Sequence, residues 1–344
     1  MRQIFQLNHR FDKKIKKDIQ KLCQLDNWHG PLAVASDYAV IAATILLTIH
    51  SDWLFYPFAL LIIGSRQRAL ATILHEASHR TLTKSPRLSF LIGSFCSGYL
   101  VLSTFSAYKY SHRHLHHGNF GNPEKDCDYH DMIASGVYDE SLSRSSYIWR
   151  VILAPLLLLR IPSQLYFILK ARLFAAKRRK SNLYELILFV FFWGLIVSGF
   201  LHFHGFFYLF IFWVVPYLTA FQVINWFIEL SEHAPLMNNE VDILMTRNRN
   251  SHWFEAFFTS IHNEHYHLAH HLWPCVPFWK MKPLHDILMT DPVYAKAHSD
   301  SGGIFLSSNN RATVIDILCS TDRSFLGGAE RKISLTKKRC LNEA

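Results

Sequence analysis

Long apolar runs separated by very short polar breaks dominate the chain. Residues 34–50 and 53–74 are parted only by Ser51 and Asp52, and residues 184–203 and 206–228 turn at His204-Gly205. Each run approaches the ~20 apolar residues that cross ~30 Å of hydrocarbon, so the pattern predicts two helical hairpins in a membrane. Two further runs, 88–105 and 148–169, are apolar enough to compete as spans. The second of them carries Arg160 and Pro162, which favours an interfacial position.

Composition agrees with a bilayer. Half of the 344 residues are apolar, 15% are aromatic and only 18% are charged, against roughly 25% charged in soluble domains. The formal charge of +10 is local, with Lys13, Lys14, Lys16 and Lys17 near the start and Lys170, Arg172, Lys177, Arg178, Arg179 and Lys180 in the middle. Such clusters mark cytosolic loops, and the second suits the docking of an acidic redox partner. A nucleic-acid surface would need a soluble basic fold, which this pattern does not offer. Residues 1–31 form a basic amphipathic segment (Ile4, Phe5, Leu7, Phe11, Ile15, Ile19, Leu22), expected to lie along the membrane surface and unlike a signal peptide. Six scattered cysteines without a CxxC pair indicate neither a zinc ribbon nor a disulfide framework. After residue 290 the chain turns polar, so 291–344 reads as an extension ending in a loosely held tail from Lys332.

The chemistry lies in the histidines. Of 21, most fall into three groups: His75-Glu-Ala-Ser-His79, His112-Arg-His-Leu-His116-His117 and His267-Leu-Ala-His270-His271. A fourth element, Glu232-His233, ends an apolar run. His75 and His79 are spaced i, i+4 and stack on one helix face, a spacing repeated by His112 with His116 and by His267 with His271. His117 and His270 are close enough to reach a second metal. Nine imidazoles exceed the four ligands of an ordinary zinc site, so two metals fit better than one, while imidazole by itself suits iron, copper, zinc and nickel alike. His114 and His265 sit in or beside the groups but off the shared face and are assigned to hydrogen bonding behind the ligands, as is Asn263. His29, His50, His202, His204, His252 and His298 read as surface or packing residues. His75-Glu76-Ala77-Ser78-His79 also satisfies HExxH, the zinc-protease signature, but that chemistry would leave two groups idle. A histidine-rich metal transporter would hold its ligands near the midplane of its spans, whereas these groups fall at span ends and in loops.

If all groups serve one centre they lie on one side of the membrane, so 88–105 cannot cross once between the first two and must re-enter or lie flat. The expected fold is therefore an all-α integral membrane protein. It has four transmembrane helices in two hairpins, interfacial helices and a cytosolic histidine-rich cap, with both termini and all the boxes cytosolic. Residues 32–290 would form one domain. Arg66 and Arg68 end the apolar part of the second span about two turns before His75, which would lift the metals ~10 Å above the hydrocarbon.

The arrangement resembles the membrane fatty acid desaturase family, whose HxxxH, HxxHH and HxxHH boxes carry paired iron. The resemblance covers roughly residues 60–290. It extends to Arg68-Ala-Leu before the first box, Asn122-Pro-Glu and Asp126 after the second, and Tyr266-His-Leu-Ala-His-His-Leu-Trp-Pro-Cys-Val-Pro-Phe through the third, on to Leu284-His285. The second box departs from it, reading HxxxHH from His112, a spacing similar to that of the alkane hydroxylases of the same superfamily. The resemblance implies that His75, His79, His112, His116, His117, His233, His267, His270 and His271 bind two Fe ions, with Glu229 as a direct or water-mediated contact. It also implies O2 as co-substrate and removal of two hydrogens from adjacent methylenes of a lipid acyl chain in an apolar tunnel. A hydroxylase or ketolase on the same scaffold is the alternative. Electrons would come from an external donor such as ferredoxin or cytochrome b5, since the chain has no HPGG haem signature and no ferredoxin-like cysteine set.

Overall fold

The computed structural model describes residues 8–175 and 180–320. The basic stretch Lys177–Arg179, the tail from Lys332 and the apolar positions Ile4, Phe5 and Leu7 lie outside them. The described residues are helical, and their only strand-like pairing is an isolated bridge between Ser251 and Ser307.

Helix α1 (Lys13–Gln20) is followed by α2 (His29–His50) and α3 (Tyr56–His79), which turn on each other through Asp52 and Trp53, both at positive φ. Helix α4 (Pro86–Phe95) leads to α5 (Phe105–Asn119), and α6 (Cys127–Ala134) to α7 (Arg144–Leu156) and α8 (Ile161–Leu173). Helix α9 (Lys180–His202) and α10 (206–233) form the second hairpin, turning at His204, with φ 54°, and Gly205. The short helices α11 (Trp253–Thr259), α12 (His267–Leu272), α13 (Met281–Leu288), α14 (Pro292–Ser299) and α15 (Val314–Leu318) complete the chain.

Three of these elements, His29–His50, Asn182–His202 and Phe206–Asn238, are long and apolar enough to cross a membrane, and only 6% of the α9 window is buried. Val190, Phe191, Leu195 and Phe203 of this hairpin stand exposed, as do Leu46, Leu47, Leu54 and Phe58 of the first. Exposed apolar area on this scale marks a membrane-facing surface. The run at 88–105 does not continue as one rod: Pro86–Val101 and Phe105–Asn119 meet at 87°, and Arg144–Leu156 and Ile161–Leu173 at 78°.

Helix α3 is expected from its hydropathy to be an ordinary span, but it is the inner post of the structure. Ile63, Gly64, Ser65, Gln67, Arg68, Leu70 and Ile73 are all buried. A Cβ on Gly64 would stand 2.7 Å from Ala220 Cβ and from the Phe221 backbone nitrogen, so glycine lets α10 approach this closely. Arg66 and Arg68 do not snorkel to a lipid boundary. Arg66 lies 3.5 Å from the fully buried Asp37 of α2, which also holds His262 at 2.7 Å, and Arg68 pairs with Glu264. A charge within an apolar helix survives when a partner meets it, and Asp37 has two.

The amphipathic N-terminal helix is used differently from the expectation. Phe11, Ile15 and Ile19 pack on Leu268, Ala269, Leu284 and Leu288, so their apolar face supports the third histidine group and is not turned to lipid. Likewise Ile304, Val314 and Leu318, beyond the expected boundary at 290, enter the core around Trp226 and Ile228.

Candidate metal centre

Each histidine group is placed by a local device. Helix α3 carries His75 and His79 at its C-terminus and stops at Arg80, a left-handed cap with φ 66° whose N–H reaches back to the Glu76 and Ala77 carbonyls. Thr104 caps α5 by accepting from the Ala107 N–H. From Lys109 to His116 the helix then takes the wider π form, and the His117 N–H at its end is shared between the Arg113 and His112 carbonyls, four and five residues back. Helix α12 brings His267, His270 and His271, and the end of α10 brings His233.

All nine sequence-selected imidazoles meet, and their Nε2 atoms fall into two sets. In the first, the atoms run His75 to His270 at 2.9 Å, His270 to His117 at 3.3 Å, His117 to His112 at 3.1 Å and His112 to His79 at 3.1 Å. In the second they run His116 to His271 at 3.4 Å, His271 to His267 at 3.0 Å and His267 to His233 at 3.0 Å. Two nitrogens ~2.1 Å from a shared ion and at right angles are about 3 Å apart, so both sets have the spacing of metal ligands.

The grouping corrects one reading of the spacing. His112 and His116 are i, i+4 but belong to different sets, while His112 and His117, i, i+5, share one. An α-helix would put the first pair on one face; the π turn puts the second pair there. The extra residue of the middle group is thereby absorbed by backbone geometry.

Carboxylates stand behind one set. His116 Nδ1 lies 2.9 Å from Asp126 and 3.6 Å from Asp128, and His267 Nδ1 lies 3.3 Å from Glu232. Asp126 is fixed in turn by the N–H groups of Gly121, Asp128 and Tyr129. Burial, reinforced by neighbouring imidazoles, holds His112, His117, His267 and His271 well below the ordinary histidine value. His270 falls to about 3 for the same reasons. Burial pushes His116 the same way, but Asp126 and Asp128 outweigh it and raise that ring to about 9. Neutral imidazole is the ligating form, so the other rings are ready for metal, and the Asp126 pair leaves Nε2 of His116 directed at its set.

The residues assigned to supporting roles are distributed otherwise. His114 is exposed, its ring 6.2 Å from that of Tyr110. The His265 ring lies 4.0 Å from that of Tyr266, outside both sets. Asn263 lines the cavity at the histidines and donates to the Phe278 carbonyl. Glu229 faces Arg68 at 3.6 Å and belongs to neither set. Glu76 accepts from Thr81 at 2.8 Å and from the Phe278 N–H at 3.1 Å. With three further imidazoles joining His75 and His79, the open position of a protease zinc site is filled. Asp126 and Glu232 were visible in the sequence only as neighbours of histidines. Asp128, Tyr108 and Asn225, which line the adjoining cavity, leave no signal in the sequence, and Arg172 reads there as part of a basic loop, whereas it is buried and paired with Asp128 at 2.6 Å.

The profile of the family described as fatty acid desaturase matches residues 51–301. The chain is 37% identical over 307 residues to the dihydrorhizobitoxine desaturase of Bradyrhizobium elkanii, covering 86% of this chain and 85% of that one. Similarity to the sn-1 acyl-lipid omega-3 desaturase (ferredoxin) of Nostoc sp. is 25% over 263 residues, 71% of this chain and 70% of the relative. The enzyme of the same name from Synechocystis sp. is 24% identical over 269 residues, 72% and 71% of the two chains.

Proposed function

The chain belongs to the fatty acid desaturase family, and from that premise we propose that it is an oxygen-dependent membrane desaturase whose nine imidazoles hold two irons. The observation that carries this reading is the division of the Nε2 atoms into sets of five and four, each at ligand spacing. Five imidazoles exceed the four ligands of a structural zinc site and suit an ion of higher coordination number. His75, His79, His112, His117 and His270 would hold one iron; His116, His233, His267 and His271 the other.

Paired iron supplies, when bound, the activation of O2 and the removal of hydrogen from an unactivated C–H bond, which no side-chain acid or base performs. The protein's own residues fix and enclose that chemistry. Asp126 and Glu232 orient His116 and His267 through their Nδ1 atoms. Helix α3 fixes the height of His75 and His79, and its buried pairs Arg66–Asp37 and Arg68–Glu264 hold it against α2 and the loop before α12. Trp226, Phe221 and Met132 close the apolar side of the adjoining cavity.

Four spans in two hairpins, with the histidines on the cytosolic side, remain the reading: α2, α9 and α10 are apolar enough to cross alone, and α3, which is not, would cross as a post shielded by α2 and α10. Electrons would come from a separate donor; the ferredoxin in the names of two relatives favours that carrier. The expectation of a lipid acyl substrate rests on the membrane setting and on the same two names. Desaturation is preferred to hydroxylation because the matching family and the three relatives are named desaturases. Mass spectrometry of the product tests this: loss of two hydrogens is expected, and gain of one oxygen would assign a hydroxylase.

A further inference from the structure

We propose that Cys23 and Cys275 form a redox-active pair, which a hydroperoxide joins into a disulfide that fastens the N-terminal helix to the third histidine group. The two residues lie 252 positions apart in the chain, yet their Sγ atoms stand 3.1 Å from each other. Cys96, Cys127 and Cys319 meet no second sulfur among the described residues. A disulfide forms at about 2.05 Å, so bonding asks the two sulfurs to close by only about 1 Å. The metal centre uses neither side chain.

Packing on both sides holds the pair together. Cys23 ends the turn after α1, and Cys275 lies between Pro274 and Val276 in the loop four residues beyond His271. Ile19, before the one, and Val276, after the other, are fully buried in the same apolar cluster as Leu268 and Ala269 of α12. The Phe11 and Trp273 rings meet edge to face at 4.6 Å within it. Beyond the sulfurs, Lys280 Nζ donates to the Gln24 carbonyl at 2.9 Å and the Trp279 ring stacks on that of His29 at 4.6 Å. Segments pinned before and after the two sulfurs keep them in register for bonding.

Exposure sets the order of the two steps. Cys275 is exposed and Cys23 half-buried, and burial together with the neighbouring Cys275 pushes the Cys23 thiol up to about 12. The Cys275 thiolate therefore meets the oxidant first. It attacks one oxygen of hydrogen peroxide, the O–O bond breaks, and the sulfur becomes a sulfenic acid while the other oxygen leaves as water with the thiol proton. Cys23 Sγ then attacks that sulfur, the S–S bond replaces the S–O bond, and the hydroxide leaves with the Cys23 proton as a second water. Two thiols lose two electrons and one peroxide gains them. Cellular dithiols or glutathione reverse the bond. Because α12 supplies His270 to one imidazole set and His267 and His271 to the other, a cross-link on the loop that follows it steadies both.

The test exposes full-length protein in detergent to a small excess of hydrogen peroxide and maps its cysteines by mass spectrometry of the peptides after free thiols are alkylated. A Cys23–Cys275 peptide two hydrogens lighter than its parts is expected, restored to two thiols by dithiothreitol. Both sulfurs recovered as thiols, or either one bonded to another cysteine, would overturn the pair. Cys23→Ser should leave a sulfenic acid on Cys275 that dimedone traps, whereas Cys275→Ser should leave Cys23 reduced; the reverse would overturn the order of the steps. For the fastening, iron loss to a chelator should slow severalfold on oxidation of the wild type and not in Cys23→Ser. Equal rates in the wild type before and after oxidation, or the same slowing in the variant, would overturn it. Protein purified without iron would instead overturn the desaturase reading, and the disulfide would still be mapped.

Discussion

The two imidazole sets are built on opposite plans. The set of five, His75, His79, His112, His117 and His270, has no carboxylate behind it among the described residues. The set of four, His116, His233, His267 and His271, is backed by Asp126, Asp128 and Glu232, all buried. A carboxylate on Nδ1 makes the ring a better donor and fixes its orientation. One set thus relies on the number of its ligands and the other on their quality. Redundancy is therefore unequal: a missing ring leaves four donors in one place and three in the other.

That inequality gives the largest expected effect. His271→Ala should bring iron from about two per chain to about one and turnover to background, while His79→Ala should keep most of its second iron, both read by elemental analysis. Equal losses in the two variants would mean that the sets do not differ in redundancy.

A smaller effect is expected one layer out. Asp126→Asn removes the charge behind His116 without removing a ligand, so affinity for the second iron should fall about 10–100-fold, measured by competition with a chelator. The Asn225→Ala variant leaves both sets and their backing carboxylates untouched, and its iron affinity serves as the reference; a drop of the same size there would erase the contrast.

Much of this was legible in the sequence because it is local. Eight of the nine histidines stand out from the 21 by their spacing and His233 by the family resemblance, and the two apolar hairpins by the length of their runs. The partition of the nine does not. It depends on a π turn at Lys109–His116, and the i, i+4 rule that finds histidine pairs in α-helices assigns His116 to the wrong partner there. The apolar run of α3 reads as an ordinary span, and hydropathy does not reveal that Arg66 and Arg68 find partners 29 and 196 residues away, in Asp37 and Glu264. The N-terminal helix has the pattern of a membrane-surface helix, but that pattern says only that one face needs cover. The cover is α12 and α13. Nearness in sequence points to His114 and His265 as supports, whereas the groups behind His116 and His267 are the carboxylates of Asp126, Asp128 and Glu232, brought in by folding.

If nine imidazoles make two metal sites, a count of the bound metal shows it. Full-length protein purified from membranes of iron-replete cells should contain about two irons per chain and negligible zinc. One iron per chain, or stoichiometric zinc, would mean that the nine imidazoles do not form a paired iron centre.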